Sequence, residues 1–133
     1  MKEARAIRKR GFTHTVEIRG GDHVMTADEP RNEGGHDEGP SPQELLAASL
    51  ASCSAVTLEM YADRKGWDIG DVRVEVKYEP AQRGSPTRFE IAVKLPKELP
   101  EDQRERLMQI VARCPVHRTL EGEVIFDEKL EIV

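Results

Sequence analysis

The sequence predicts an α+β fold with antiparallel sheets and two main helices, the central one buried. Three observations carry this reading. A helix-start signal at Ser41 leads into residues 45–58, which carry no charge. Stretches in which apolar and polar residues alternate occur before, between and after two helical segments. The strand–helix–strand alternation that builds a parallel sheet is missing.

Residues 1–11 read as a charged lead-in with little to bury. Phe12, His14, Val16 and Ile18 then alternate with polar residues, the period of a half-buried strand. Arg19-Gly20-Gly21-Asp22 supplies turn chemistry, and residues 23–27 form the returning arm of a hairpin. Residues 28–39 are loop, with three glycines and no apolar side chain. A loop of this length in a small domain is usually functional or disordered.

The central helix is predicted over 42–65. Ser41 is its N-cap, Pro42 its first residue and Glu44 its third, which makes an S-x-x-E capping box with proline where a missing N–H costs nothing. Arg64 and Lys65 occupy the last turn and Gly66 ends it. A helix uncharged on every side is expected to be buried on every side. Val72, Val74, Val76 and Tyr78 pair across a turn at 80–86 with Phe89, Ile91, Val93 and Leu95, giving a second hairpin. After a break at 96–100, an amphipathic helix runs from Glu101 to about Arg113. It places Leu107, Val111 and Cys114 at i, i+4 and i+7. Pro115 either ends that helix or opens a short one through Leu120, with Gly122 as stop. Val124, Phe126, Leu130 and Ile132 share one parity and predict a last strand. No repeat or linker divides the chain, so residues 1–133 are expected to form one domain.

A net charge of −5 gives no reason to expect nucleic acid or an anionic membrane as partner. The start of the chain has no apolar segment of the secretory kind, and the longest apolar run is shorter than the ~20 residues of a membrane span. A charged fraction of 34% and a mean hydropathy of −0.60 point to a soluble protein, expected in the cytoplasm. Two cysteines in such a reducing compartment are buried thiols or redox-active ones.

Cys53 and Cys114 sit in comparable settings, each on an apolar helical face. Both could be small core residues. If a helix opens at Pro115, however, Cys114 lies at its start, where free N–H groups favour thiolate. Cys53, inside a helix, would need an arginine brought close. Arg31 in the charged loop is one candidate and Arg19 at the hairpin turn is another. Glu44 could orient that guanidinium, although the capping box already accounts for it. The four histidines lack zinc-ligand spacing with either cysteine. A Cys–His hydrolase would require His117, three residues after Cys114, or His14 beside a thiol. No glycine-rich phosphate loop is present.

Two stretches are recognisable together. Gly-Pro-Ser-Pro-Gln-Glu-Leu-Leu-Ala-Ala-Ser-Leu-Ala-Ser-Cys-Ser-Ala-Val-Thr-Leu (39–58) and Ala-Arg-Cys-Pro-Val-His-Arg-Thr-Leu (112–120) resemble the OsmC-like family of osmotically inducible and organic hydroperoxide resistance proteins. The resemblance extends over almost the whole chain. It implies a thiol-dependent peroxidase acting on organic hydroperoxides, an intertwined homodimer with active sites at the subunit interface, and no cofactor. By the same resemblance Cys53 is the peroxidatic cysteine, oxidised to sulfenic acid. Cys114 is the resolving one, closing a disulfide that a dithiol or lipoyl-type reductant reopens. The activating arginine best fits Arg31, with Arg19 the other candidate. In the dedicated peroxidases of the family a carboxylate directly follows the helix-starting proline. Here that position is Gln43, and the acid is Glu44.

Overall fold

The computed structural model describes residues 1–133 and divides them into two compact units, Met1–Ala48 and Ser49–Val133. The architecture is α+β, with antiparallel sheets and three α-helices.

The first unit holds a three-stranded antiparallel meander of β1 (Ala4–Arg10), β2 (Thr13–Ile18) and β3 (His23–Ala27), in that spatial order. The expected β2–β3 hairpin is present, with Val16 opposite Met25. β1 is a correction, because its residues were expected to be a lead-in. All seven are exposed, so no burial pattern marks them. Backbone pairing to β2 holds the strand, with Arg5 and Glu17 in an ion pair at 3.3 Å. Its density of Lys and Arg is that of a guarded sheet edge.

The 28–39 loop is also more ordered than its composition suggests. The Asp28 N–H donates to the Pro40 carbonyl at 3.1 Å, closing the neck, and Arg31–Glu33 forms a 3₁₀ turn. At the centre is Asp28, only 1% exposed. Its Oδ2 accepts from Thr13 Oγ1 at 2.8 Å and from the N–H groups of Glu38 at 3.2 Å and His36 at 3.3 Å. Its Oδ1 accepts from the Glu29 N–H at 2.8 Å. Glu38, paired with Arg10, shares the Thr13 hydroxyl.

Burial acts on the Asp28 carboxyl as the largest single influence and raises its pKa. The four hydrogen bonds together outweigh it and bring the value below the ordinary one. A carboxyl lowered in this way contributes stability above its unfolded pKa and loses it as pH falls through the folded value. The loop is therefore expected to loosen in acid below about pH 4. Amide resonances of Glu29, His36 and Glu38 that keep their positions down to about pH 2 would contradict this.

Helix α1 (Pro42–Lys65) begins in the first unit and ends in the second. Its ends are those expected. The Ser41 N–H donates to Glu44 Oε1 at 3.0 Å and the Glu44 N–H to Ser41 Oγ at 3.2 Å, so the capping box is closed. Gly66 takes φ +70° just past the last turn. All-round burial is not observed. Leu50, Ser54, Leu58, Tyr61 and Ala62 form one buried stripe, while Val56 and Met60 are 43% and 63% exposed. By length and composition α1 could cross a membrane, but its buried stripe is that of a core helix.

In the second unit Leu58, Tyr61 and Ala62 pack with Ile69 and with Leu107, Ile110 and Val111 of α2 (Glu101–Val111). The hairpin of β4 (Arg73–Glu79) and β5 (Arg88–Lys94) closes this core with Val74, Ile91 and Val93. α2 stops two residues short of the expected end, and Pro115 opens a separate helix, α3 (Pro115–Glu121).

The predicted last strand is absent. Residues 122–133 have no regular structure, and Phe126, Leu130 and Ile132 are 77%, 84% and 91% exposed. A strand exists only against a neighbouring ladder, and no backbone hydrogen bond ties residues 123–133 to another element of the chain.

Candidate active site

The second unit brings its two cysteines together. Cys53 lies in the middle of α1, half-buried, one residue before the buried Ser54. Cys114 is the N-cap of α3, with φ −52°, ψ 131° and no exposure. Both are free thiols, and Cys114 acts directly on the Cys53 thiol, raising its pKa. Pro115 at the first helical position leaves the next N–H, that of Val116, without a partner inside the helix. That N–H acts on the Cys53 thiol and lowers its pKa.

Thr57 also stands against this sulfur, yet its hydroxyl donates to the Cys53 carbonyl at 2.8 Å. A hydroxyl has one proton, and the carbonyl holds it. Of the two, the Val116 N–H is the stronger influence favouring thiolate. Burial pushes the Cys53 thiol up and the Cys114 contact adds to this; Val116 and Thr57 oppose it only in part. The groups acting on the thiol all belong to residues 49–133.

A cavity of about 400 Å³ is lined by Leu50, Thr87, Phe89, Ile91, His117, Leu120 and Glu121. Leu50 precedes Cys53 by one helical turn, and His117 follows Cys114 by the same spacing. The cavity wall thus includes the neighbours of both thiols. Its polar end is His117, whose Nδ1 lies 2.8 Å from Glu121 Oε1 on the next turn of α3. The approach is too oblique for an aligned hydrogen bond, because Nδ1 is buried and has no partner by direction. The contact is one of position. Sequence reasoning passed over Glu121; the His117 side chain is 23% exposed. The signal available was the i, i+4 spacing of a basic and an acidic side chain. His117 turns Nδ1 to this carboxylate rather than to a thiol, which removes the local support for a Cys–His hydrolase. A larger cavity of about 490 Å³ in the first unit, lined by Lys2, Glu3, Arg5 and Glu17 among others, offers no nucleophile.

The remaining candidates lie in the first unit. Arg31 heads the 3₁₀ turn of the loop, exposed, and its guanidinium makes neither an ion pair nor a hydrogen bond. Arg19 takes φ +52° and its Nη2 lies 2.6 Å from His23 Nε2, so it is already engaged. Glu44 is held in the capping box. The Ser41 backbone N–H, followed by the Ser41 hydroxyl, keeps its pKa below the ordinary carboxylate value. Gln43 is exposed beside it.

The family described as OsmC-like protein matches residues 35–129. The chain belongs to the OsmC-like family. Both thiols, Glu44, His117 and Glu121 fall inside the matched stretch, while Arg19 and Arg31 precede it. Solved structures carry the likeness over nearly the full chain. An OsmC-like protein from Mycoplasma pneumoniae superposes with a TM-score of 0.71 at 21% identity, covering 92% of this chain and 88% of its own. The organic hydroperoxide resistance protein OsmC from Legionella pneumophila gives 0.68 at 21%, covering 92% and 90%. The organic hydroperoxide resistance protein OhrB of Bacillus subtilis gives 0.63 at 19%, covering 92% and 91%. At these identities the likeness carries the OsmC-like fold. No curated protein matches the chain significantly.

Proposed function

We propose that this OsmC-like protein is a cytoplasmic, thiol-dependent peroxidase that reduces organic hydroperoxides in defence against oxidative stress. One observation carries the reading: two free thiols that act directly on one another, with neighbours of both in the wall of a largely apolar cavity. Cys53, as thiolate, attacks the O–O bond. An S–O bond forms, the alcohol departs, and sulfur becomes a sulfenic acid. Cys114 condenses with it, releasing water and closing a disulfide, which a dithiol or lipoyl-type reductant reopens. The half-buried Cys53 meets the peroxide, while the fully buried Cys114 stands behind it as the resolving thiol.

Because the groups around Cys53 in its own unit leave the thiol raised, the thiolate needs a cation. We assign that role to Arg31, the arginine without a partner, rather than to the engaged Arg19. Glu44 orients it with the carboxylate oxygen that the cap leaves unused.

The working unit is a homodimer. The exposed apolar side chains of residues 124–132 and the uncovered Val56 and Met60 of α1 are surfaces a second copy would bury. A monomer in sedimentation at micromolar concentration would overturn this.

One equivalent of an organic hydroperoxide is expected to convert both free thiols to a single disulfide, found by mass spectrometry as linked peptides containing Cys53 and Cys114. Two thiols that stay free reject the peroxidase. The raised Cys53 thiol and the amide at Gln43 favour a second reading, an OsmC-like binding protein with an apolar pocket and little turnover. Slow sulfenate formation in the wild type, not accelerated by Gln43→Glu, would select it.

A further inference from the structure

A hydroperoxide that loses its alcohol must find a proton for it. The thiolate supplies two electrons and no proton, and an alkoxide is too basic to leave a half-buried site unaided. The cavity beside the thiols is walled by Leu50, Phe89, Ile91 and Leu120. Its other lining side chains are Thr87, whose hydroxyl is far too weak an acid, and the pair His117–Glu121. The N–H of Val116, the residue directly before His117, acts on the Cys53 thiol. The reacting sulfur and the imidazole therefore border one short stretch of α3. With Nδ1 set against Glu121 at 2.8 Å, Nε2 is the nitrogen left for a ligand. A carboxylate at one ring nitrogen that orients the other for proton transfer is a recurring device in catalysis.

We infer that His117 is the acid that protonates the departing alcohol, with Glu121 as its positioning residue. The inference rests on the peroxidase reading above. In the step, the Cys53 thiolate bonds to the terminal oxygen of R–O–O–H and the O–O bond breaks. Sulfur is oxidised by two electrons to S–OH and the peroxide is reduced by two. The imidazolium Nε2–H passes its proton to RO⁻, giving ROH. The neutral imidazole then takes a proton from water before the next turnover.

The test uses two oxidants with different leaving groups. Oxidation of Cys53 is followed in single-turnover stopped flow with cumene hydroperoxide, which must release a basic alkoxide. It is followed again with peracetic acid, which releases a carboxylate and needs no proton. His117→Gln is expected to slow the first reaction by roughly 100-fold, the scale of general acid catalysis, and to leave the second within a few-fold of the wild type. Glu121→Gln, at an exposed end of α3, is expected to slow only the first reaction, and by less. It also keeps the test available if the histidine variant misfolds. Equal losses with both oxidants would show a structural role and overturn the assignment, as would an undiminished rate with cumene hydroperoxide. A wild-type protein inert towards both oxidants would instead overturn the peroxidase reading, and the His117 assignment with it.

Discussion

Cys53→Ser is expected to abolish peroxide-dependent oxidation of a dithiol. The substitution exchanges sulfur for oxygen in a half-buried position and leaves the cap and the core stripe unaltered. Loss of activity would therefore report loss of the nucleophile rather than of the fold. A serine hydroxyl is a weak nucleophile without an activating base, and the only histidine of the cavity is turned to Glu121. The companion change Cys114→Ser should behave differently. Cys53 would still react once, and its sulfenic acid would persist with no intramolecular thiol to close on. The wild-type reaction is expected to accelerate as pH rises, because deprotonation of a raised thiol increases the reactive fraction. Full dithiol oxidation by Cys53→Ser would refute the assignment, and coupled peroxide assays decide it directly.

Gly35→Ala is expected to open the loop that carries Arg31. A Cβ at this position would sit 1.9 Å from the Glu29 carbonyl oxygen, 2.5 Å from its carbon and 2.8 Å from Asp28 Oδ1. Those are backbone atoms and a buried carboxylate held by four donors, so no flexible side chain can give way. The Glu29 carbonyl also accepts from the Asp37 N–H at 3.1 Å, and the added methyl would occupy the same space. Overpacking of this kind costs about 3 kcal/mol when the neighbours cannot move. Gly39, whose Cβ would meet the Thr26 carbonyl oxygen at 2.2 Å, makes the same demand at the other end of the loop. Melting temperature and amide exchange at His36 and Asp37 measure the effect. Wild-type values for both would show that the loop tolerates the methyl group.

What the sequence revealed depended on how local the determining chemistry was. Both ends of α1 were legible because Ser41, Pro42, Glu44 and Gly66 act within one turn of themselves. The same holds for the choice at Pro115, which the N-cap geometry of Cys114 resolves. β1 was not legible, since an exposed edge strand has no buried face to imprint a period. Parity at 124–132 predicted a strand, but it could not say whether this chain supplies the neighbour that a strand needs. Asp28 looked like one more charge in an acidic loop. Only the fold brings Thr13, His36 and Glu38 around it. Sequence also singled out each thiol by its setting, whereas their contact joins segments far apart along the chain.

The uncovered end of the chain bears on how the protein comes to be made. Phe126, Leu130 and Ile132 stand open on a segment with unpaired backbone groups. Such a segment accepts any available strand edge, the wrong ones included. In the homodimer proposed above, every newly synthesised copy passes through an adhesive interval that ends when its tail is covered. Yield and solubility during production will follow the length of that interval, set by the rate of synthesis and the abundance of suitable partners, more closely than they follow the stability of the core.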